Sequence, residues 1–566
     1  MRIFYVRILP SFFRAMVCLF FGFFCSVLLS AQRNRPNVIF IMMDDLGYGH
    51  CQFNNEDLQV ADFDPFFMSL VEQRQDYTPE EALEFSKRAM PTMTRLAEEG
   101  LVFTQAYSAS SLCAPARLAV ATGKTLPELG VYANLDVEAD GLVPGTHLAE
   151  VFQEAGYGTA HIGKWHVAAR DGQLLEEARK LHGIQKPLDL WGLRKEFPDV
   201  YDKVWEAGYY GSVRPHQNPL ANGFDYYYGY NNWASQFYDS TLVWEGYEHA
   251  GRQSGYNTEV FTDKALQFME EQLKETKPFY LQLHYHAVHD YLEPNVPERY
   301  QKYFASESYA LRTFYGHIFA VDANVKRIIQ FLKENEVYEN TLLVFTSDNG
   351  AMAGGPSVLP GNAPFSGQKG TFHLGGIRVP MFAHWPCGVI EEGERAQLVS
   401  TMDILPTCLD AAGLFVPEGL DGKSLLPLFS GEDLAEVRSE MVWSGIQGRR
   451  WGFLIRTSFK GHYTELPFAP GAWAVKKGNY LLRFVGPFES QVYHEAPEGS
   501  PGEFYLYNIE KDPGERNDLS REMPEMVERL KAVYLEDSRD FIAPRVWSRE
   551  KWESIRGLSE TGDGSL

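Results

Sequence analysis

Cysteine and positive charge are both scarce in this sequence. Six of its 566 residues are cysteines, which is too few for a disulfide framework. Lysine and arginine number 52 against 75 aspartates and glutamates, and the formal net charge of −23 disfavours a general nucleic-acid binder. No repeat with a period of about 20–50 residues recurs, which argues against a solenoid. An anionic substrate remains compatible with the charge, because a local basic pocket can lie on an acidic protein.

The composition is otherwise that of a folded chain with more than one core. Apolar residues make up 45% and charged residues 22%, as in ordinary globular proteins. The length exceeds what one hydrophobic core usually holds, and the residue pattern changes after about 425. We therefore expect a large domain over 32–425 and a smaller one over 426–566.

The N-terminus has the pattern of an export signal. Three arginines lie among the first 14 residues, an apolar run covers 15–29, and the small pair Ser30-Ala31 follows. This order is typical of a signal peptide, here 1–31. A membrane anchor is the alternative, but the run is shorter than the roughly 20 residues that span a bilayer. We expect a periplasmic or secreted protein without stable membrane insertion.

Apolar runs alternate with helical patterns through the first domain. Buried strands are predicted over 37–43 and 341–347, with further strands and helices over 79–100, 146–155, 158–163, 258–275, 278–285 and 310–335. This alternation predicts an α/β fold, with a large, mostly parallel mixed sheet flanked by helices on both faces. Strands over 472–485 and 503–509 and a helix over 523–534 predict a smaller α+β domain.

Two stretches read as insertions into the first domain. The stretch over 169–219, with several Pro and Gly, is predicted to be irregular. The stretch over 51–91 is either an element at the rim of the site or an exposed helical insert.

Acidic pairs follow the two predicted buried strands. Asp44 and Asp45 come directly after the first strand, and Asp348 and Asn349 after the other. Ligand sites of such sheets lie beyond the carboxyl ends of the strands. Carboxylate and amide oxygens suit Ca²⁺ or Mg²⁺, and crowded carboxylates need a compensating cation. The alternative is that each pair only caps a strand.

One cysteine lies where a helix is predicted to begin. In Cys113-Ala-Pro-Ala-Arg117, Pro115 suits the first helical turn, so Cys113 is expected at the N-terminus of the helix. A helix N-terminus favours anions, and Arg117 adds positive charge one turn later. The alternative is a buried structural cysteine.

Further cationic and acid–base groups follow predicted strands or lie in a glycine-flanked loop. Lys164 and His166 follow the strand over 158–163, while Lys369 lies in the loop. Three histidines, His284, His286 and His289, lie near the end of the strand over 278–285. Together with Arg117 these side chains make a plausible anion pocket with acid–base groups.

Several motifs agree with one known pattern. They are Cys113-x-Pro-x-Arg117, Asp44-Asp45-Leu-Gly-Tyr-Gly49, Gly163-Lys-Trp-His166, Asn222-Gly-Phe-Asp-Tyr226, Ser347-Asp-Asn-Gly350, Lys369-Gly-Thr371, Gly375-Gly-Ile-Arg-Val-Pro380, Met402-Asp-Ile-Leu-Pro406 and the stretch over 504–513. With these motifs the chain resembles the type I, formylglycine-dependent sulfatases of the alkaline phosphatase superfamily. The resemblance covers most of 36–535.

The resemblance implies an active site residue by residue. Cys113 would be oxidised by a maturation enzyme to formylglycine, whose hydrate is the nucleophile, and Arg117 would stabilise it. Calcium would be held by Asp44, Asp45, Asp348, Asn349 and the residue at Cys113. The substrate would be bound by Lys164, Lys369, His289 and His373. His289 would protonate the leaving alcohol, and His166 would assist release of sulfate.

The sequence departs from the family pattern in three places. Val288 replaces a proline before His289, His373-Leu374 replaces an aromatic residue followed by Glu, and the stretch over 51–91 is longer than usual. The first departure leaves His284 and His286 as competitors for the role of acid.

Three functions are compatible with these residues. The resemblance, the export signal and an aromatic-rich segment over 226–238 favour a sulfatase acting on a sulfated polysaccharide or its oligosaccharides. A phosphodiesterase or phosphonate monoester hydrolase on the same core is the alternative. A non-catalytic binder of sulfated glycans is the third.

Overall fold

A computed structural model describes residues 35–545, except 66–67, 70–75, 187–189, 233–234, 290–295, 353–357, 390, 432–435, 446–471 and 486–502. The predicted signal peptide over 1–31 lies outside the described residues. No helix within the described ranges is long and apolar enough to cross a lipid bilayer.

A ten-stranded mixed sheet forms the centre of the described structure. Its strand order is β11-β2-β10-β9-β1-β8-β4-β5-β6-β7. The strands are β1 Asn37–Met43, β2 Leu101–Phe103, β4 Gly158–Lys164, β5 Tyr226–Tyr230, β6 Val243–Glu245, β7 Glu248–His249, β8 Phe279–His284, β9 Thr341–Ser347, β10 Met381–His384 and β11 Gly393–Arg395. A separate parallel pair joins β3 Ala106–Tyr107 to β12 Val399–Ser400. The central strands β9, β1, β8, β4 and β5 run parallel, as predicted.

Both faces of this sheet are covered, which explains why β1 is apolar throughout. Ile39 and Ile41 pack into one cluster of buried side chains, while Val38 and Phe40 pack into a second cluster. A strand buried on both faces has no solvent side, so its sequence shows a continuous apolar run. The predicted bounds of β1 and β9 agree with the structure at every residue.

The described helices lie mainly in the part of the chain that forms this sheet, and the last of them packs on the smaller sheet described below. They are α1 Pro79–Ser86, α2 Pro91–Glu98, α3 Cys113–Thr122, α4 Asn134–Asp140, α5 Ala149–Glu154, α6 Gly172–Leu181, α7 Leu190–Glu196, α8 Pro198–Glu206, α9 Asn257–Lys274, α10 Glu298–Gln301, α11 Tyr309–Glu334, α12 Leu374–Ile377, α13 Ile404–Ala411 and α14 Pro524–Asp537. Helices α2, α9 and α11 contribute buried residues to the first cluster, and α3, α5 and α13 to the second.

Two expectations about the insertions need correction. The stretch over 169–219 is not irregular, because it contains α6, α7 and α8. Leu193 of α7 and Val204 of α8 form a small buried cluster with Ile184, which lies between α6 and α7. The stretch over 51–91 is not merely an exposed insert, since Phe63 and Phe85 pack within the main core.

A four-stranded antiparallel sheet follows the large one in the chain. It contains β13 Glu440–Gly445, β14 Ala472–Lys477, β15 Tyr480–Val485 and β16 Glu503–Asn508 in that order. The single strand predicted over 472–485 is a hairpin, with Gly478 at a φ of 54° in the turn. Together with α14 this sheet confirms the α+β character of the C-terminal part. The domain bounds at 425 and 426 stay a prediction.

The small sheet packs directly against loops of the large one. Trp443 and Leu481 from the small sheet share a buried cluster with Phe372, Leu374 and Tyr107. The two parts are therefore joined by apolar packing close to the loop that carries Lys369.

Candidate active site

The acidic pairs meet because their strands are neighbours in register. Strands β1 and β9 run parallel with Met43 opposite Ser347, so the residues that follow are adjacent. The backbone N–H of Asp45 donates to Asp348 Oδ1 at 3.1 Å, and Asn349 Nδ2 donates to Asp45 Oδ1 at 2.8 Å. All four side chains are buried, which confirms the expected convergence at this edge of the sheet.

The segment after β8 continues along the end of β1 and brings one histidine to Asp44 and another to Asp45. Asp44 N–H donates to Ala287 O at 3.0 Å, and Val288 N–H donates to Asp44 O at 2.8 Å. This pairing places His286 Nδ1 3.7 Å from Asp44 Oδ2 and His289 Nε2 3.7 Å from Asp45 Oδ2. The two histidines therefore face different carboxylates.

Cys113 is the first residue of α3, as the position of Pro115 predicted. Its side chain is buried, and the helix N-terminus supplies positive partial charge beside it. One turn later, Arg117 donates from Nε and Nη2 to Asp348 Oδ2, at 3.0 and 2.8 Å. Its Nη1 donates to Lys164 O at 3.2 Å and lies 3.3 Å from His284 Nδ1.

Two lysines bind one carboxylate each. Lys164, the last residue of β4, donates to Asp44 Oδ2 at 2.6 Å. Lys369 lies 2.6 Å from Asp45 Oδ1 and 2.8 Å from Asp45 Oδ2. Both ammonium groups are withdrawn from solvent. Burial of such charges is tolerated only when they are paired, so the site is built around charge compensation.

Four potential ligand atoms gather at the centre of these contacts. One atom from each of Asp44, Asp45, Cys113 and His289 lies within 4.8 Å of the others. Asp348 is not in this group, and its oxygens accept from Arg117 and from the backbone N–H groups of Asp45 and Asn349. The ligand role predicted for Asp348 and Asn349 stays a prediction.

The donor set fits a hard divalent cation. The carboxylates of the site belong to Asp44, Asp45 and Asp348, and their charge is balanced by three permanent cations, Arg117, Lys164 and Lys369. An added cation would therefore make the net charge of the site positive. Asp44 Oδ1 and Asn349 Oδ1 are buried and accept no hydrogen bond from any described residue. Buried oxygens without donors are suited to a metal ion such as Ca²⁺.

Electrostatics separates the two histidines further. Burial and Lys369 lower the pKa of His289, but Asp44 and Asp45 raise it more, and the net pKa lies well above its ordinary value. Burial lowers the pKa of His286 to about 4, although the nearby Asp44 carboxylate acts in the opposite direction. Burial raises the pKa of Asp44, yet Lys164, His289 and Arg117 hold it well below its usual range. His289 is therefore the better proton donor of the two.

The remaining predicted residues have different surroundings. His166 is buried at a φ of 54°, and neither of its ring nitrogens makes a hydrogen bond to a described residue. Burial, Lys164 and Arg117 lower its pKa, so its neutral form can accept a proton. His373 Nδ1 lies 2.9 Å from Glu515 Oε2, on the side of the small sheet. Its role in substrate binding stays a prediction.

Four of the six described rings of the aromatic segment over 226–238 lie in the core and are not available for stacking on a sugar. Tyr227, Tyr228, Tyr230 and Phe237 are buried side chains of the core. Trp233 lies outside the described residues. Tyr228 and Tyr230 belong to β5, an internal strand of the sheet, and share the first core cluster with Phe237, while Tyr227 is buried on the same strand.

Sequence reasoning missed two residues that support the site from a distance. Ser108 Oγ donates to Asp348 O at 2.5 Å, and Ser108 O accepts from Trp443 Nε1 at 2.8 Å. Glu515 lies just beyond the matched stretch over 504–513, and no local pattern marked it as part of the site.

Comparison with known proteins decides the family. The family model described as Sulfatase matches residues 36–414. The chain belongs to the sulfatase family. It is 34% identical over 418 residues to the uncharacterized sulfatase YdeN of Escherichia coli strain K12, covering 73% of this chain and 69% of the relative. It is 29% identical over 515 residues to the N-acetylgalactosamine-6-sulfatase of Mus musculus, covering 87% and 84% respectively.

A solved structure supports the fold. Ps i-CgsB in complex with k-i-k-neocarrahexaose aligns with a TM-score of 0.64 at 22% identity, covering 94% of this chain and 98% of that one. The sulfatase is thus a sulfuric ester hydrolase with the alkaline phosphatase-like α/β fold, as the motifs predicted.

Proposed function

We propose that this sulfatase hydrolyses sulfate esters of a sulfated polysaccharide or its oligosaccharides, with formylglycine made from Cys113 and with bound Ca²⁺. One observation carries the proposal: the ligand atoms of Asp44, Asp45, Cys113 and His289 converge within 4.8 Å at the N-terminus of α3. A nucleophile, carboxylates and an acid–base group thus share one buried centre.

Two absent groups would complete the centre. Formylglycine at residue 113 would supply a hydrated aldehyde, a hydroxyl nucleophile that a cysteine or serine cannot regenerate. Calcium, held by Asp44, Asp45, Asp348 and Asn349, would supply a fixed positive charge toward a sulfate oxygen.

The chain's own cations bind and orient the ester. Lys164 and Lys369 each contact a carboxylate that would also face calcium, so both ammonium groups can turn to sulfate oxygens when the cation is bound. Arg117 is fixed by Asp348 and holds positive charge beside residue 113. Such preorganised charges stabilise the transferring group in a site that excludes water.

In this proposal, two histidines transfer the protons. His289 Nε2 lies 3.7 Å from Asp45 Oδ2 and would donate a proton to the leaving alcohol. A sugar alcohol is a poor leaving group without that proton, so this donation matters most for a glycan substrate. His166, held neutral, would accept a proton as sulfate is released.

The glycan assignment is supported by the relatives rather than by the aromatic segment. One relative is an N-acetylgalactosamine-6-sulfatase, and the solved neighbour was captured with a neocarrahexaose. We also propose export to the periplasm or the exterior, from the signal pattern over 1–31, and a formylglycine-generating enzyme as the maturation partner. No nucleic-acid partner is proposed, because the net charge is −23.

The test is product release by protein made together with a formylglycine-generating enzyme. A panel of sulfated oligosaccharides and one model phosphodiester would be incubated with the enzyme and with Cys113→Ala, and the anions separated by ion chromatography. Sulfate released from a glycan by the wild type only is the expected result. Release of phosphate alone would support the phosphodiesterase alternative, and binding without turnover by matured protein would support a glycan binder.

A further inference from the structure

We propose that Glu515, from the C-terminal part of the chain, is a positioning residue that fixes the loop carrying Lys369 in the active site. The inference rests on the proposed function, since Lys369 is there a sulfate-binding cation. Glu515 touches no reacting group itself, and its effect would pass through the backbone of the loop.

A buried ionic cluster joins the two parts of the molecule at this point. Glu515 Oε2 lies 3.2 Å from Arg483 Nε on β15 and 2.9 Å from His373 Nδ1 in the loop. The three side chains are at most 4% exposed. Buried charges of this kind are costly unless they are matched, so their geometry is strongly constrained.

The same carboxylate also binds the loop backbone. Glu515 Oε1 accepts from Leu374 N–H at 2.7 Å, and the neighbouring Gly514 O accepts from Ser366 Oγ at 2.5 Å. These contacts hold both ends of the short loop 366–374, whose middle carries Lys369. Gly514 and Glu515 thus hold the loop at both ends, and we call this pair of residues the clamp.

Other contacts of the loop connect its backbone to segments of the active site. Lys369 N–H donates to Ala351 O at 3.0 Å, and Gly370 N–H donates to Ser111 O at 2.8 Å, two residues before Cys113. With the backbone held at both ends, Lys369 Nζ reaches Asp45. A shift of the clamp would therefore move the ammonium group relative to the sulfate.

The charge of Glu515 is maintained where it lies. Burial raises its pKa, but His373 and Arg483 hold the net pKa below the ordinary value. An ionised carboxylate makes stronger hydrogen bonds to N–H donors than a neutral group of the same shape. Glu515→Gln should therefore loosen the clamp while conserving volume.

The experiment is a double-mutant cycle between Glu515→Gln and Lys369→Met, measured as kcat/KM for sulfate release. A displacement of about 1 Å can cost about 100-fold in rate, so we expect Glu515→Gln to lose about 10- to 100-fold. In the Lys369→Met background the same change should have almost no further effect, because the group it positions is gone. Glu510→Gln, an exposed change in the same segment, is the control and should match the wild type.

A second variant tests whether the loss of activity in Glu515→Gln results only from unfolding. Arg483→Gln combined with Glu515→Gln removes both charges and leaves no unpaired guanidinium, so the fold should persist, as checked by thermal denaturation. Hydrogen exchange at Leu374 N–H should speed up in this variant. It should also lose activity by the same 10- to 100-fold.

The outcomes are distinguishable from failure of the proposed function. A wild type that releases no sulfate contradicts the proposed function, whatever the variants do. A wild type that does release sulfate, with Glu515→Gln equally harmful in both backgrounds or harmless in both, contradicts the positioning role alone.

Discussion

Replacing Lys369 by methionine should distinguish the effect of its charge on stability from the effect of its charge on turnover. In the structure its ammonium group lies 2.6 Å from Asp45 Oδ1 and is fully withdrawn from solvent. Methionine conserves much of the volume, so the main loss is the charge. Without metal, Asp45 would then be a buried carboxylate whose remaining cationic neighbour is His289, 3.7 Å away.

The magnitudes of the two effects follow from different interactions. Removing one partner of a buried ion pair costs about 3–5 kcal/mol, and the hydrogen bond from Asn349 to Asp45 places the expected value near the low end, about 3 kcal/mol. Calcium should restore that stability, because it would compensate Asp45 in place of the lysine. Turnover should nevertheless stay about 100- to 1,000-fold lower, since calcium cannot replace the charge on the sulfate oxygens.

The assay is urea denaturation with and without calcium, beside sulfate release at saturating calcium. Lys476→Met is the matched control, because burial lowers the pKa of this second buried lysine, on β14, to about 8 and its charge is already disfavoured. We expect no calcium-dependent rescue there. A loss of stability in Lys369→Met that calcium leaves unchanged would refute the assignment of Asp45 as a metal ligand.

Two further predictions concern the acid and the fold. His289→Ala should lower turnover of a sugar sulfate by about 100- to 10,000-fold but affect an activated aryl sulfate little. The control His286→Ala should not show this dependence on the leaving group. Equal losses on both substrates in His289→Ala would contradict the role of His289 as the acid. Asp322 accepts from Thr92 N–H at the start of α2, and burial raises its pKa to about 6. Because the pKa of Asp322 is higher in the folded protein than in the unfolded chain, the protonated side chain stabilises the fold at low pH. This stabilisation is lost as the pH rises through 6. Relative to Asp322→Asn, the wild type should lose up to about 3 kcal/mol between pH 4 and 7 in urea denaturation, and a constant difference would contradict this.

The sequence predicted best where burial is complete and a polar residue marks the end of the element. Strands β1 and β9 are buried throughout, contain continuous apolar runs over 38–43 and 342–345, and are followed directly by Asp44 and Asp348, so the predicted bounds agree with the structure. The start of α3 at Cys113 followed from Pro115, which fits only the first turn. Parallel neighbours then brought these ends together.

Prediction failed where the determining contacts are weakly patterned or distant. Among the described residues of 172–206, the small cluster of Ile184, Leu193 and Val204 is the main buried apolar group, and the prolines of this stretch predict irregular structure, although Pro198 in fact begins α8. Aromatic residues of β5 suggested a sugar-binding surface because sequence cannot distinguish an exposed ring from a core ring. Glu515 contacts a backbone N–H 141 positions away, which no local spacing reveals.

The central claim is that residue 113 acts as a regenerating nucleophile. The most direct measurement is the amount of aryl alcohol released from an activated aryl sulfate per molecule of enzyme, for the wild type and for Cys113→Ser. A serine hydroxyl can take the sulfuryl group once, with loss of the alcohol, but cannot expel it. We predict many turnovers for the wild type and at most one equivalent for Cys113→Ser, whereas continued turnover by the serine variant would contradict the account.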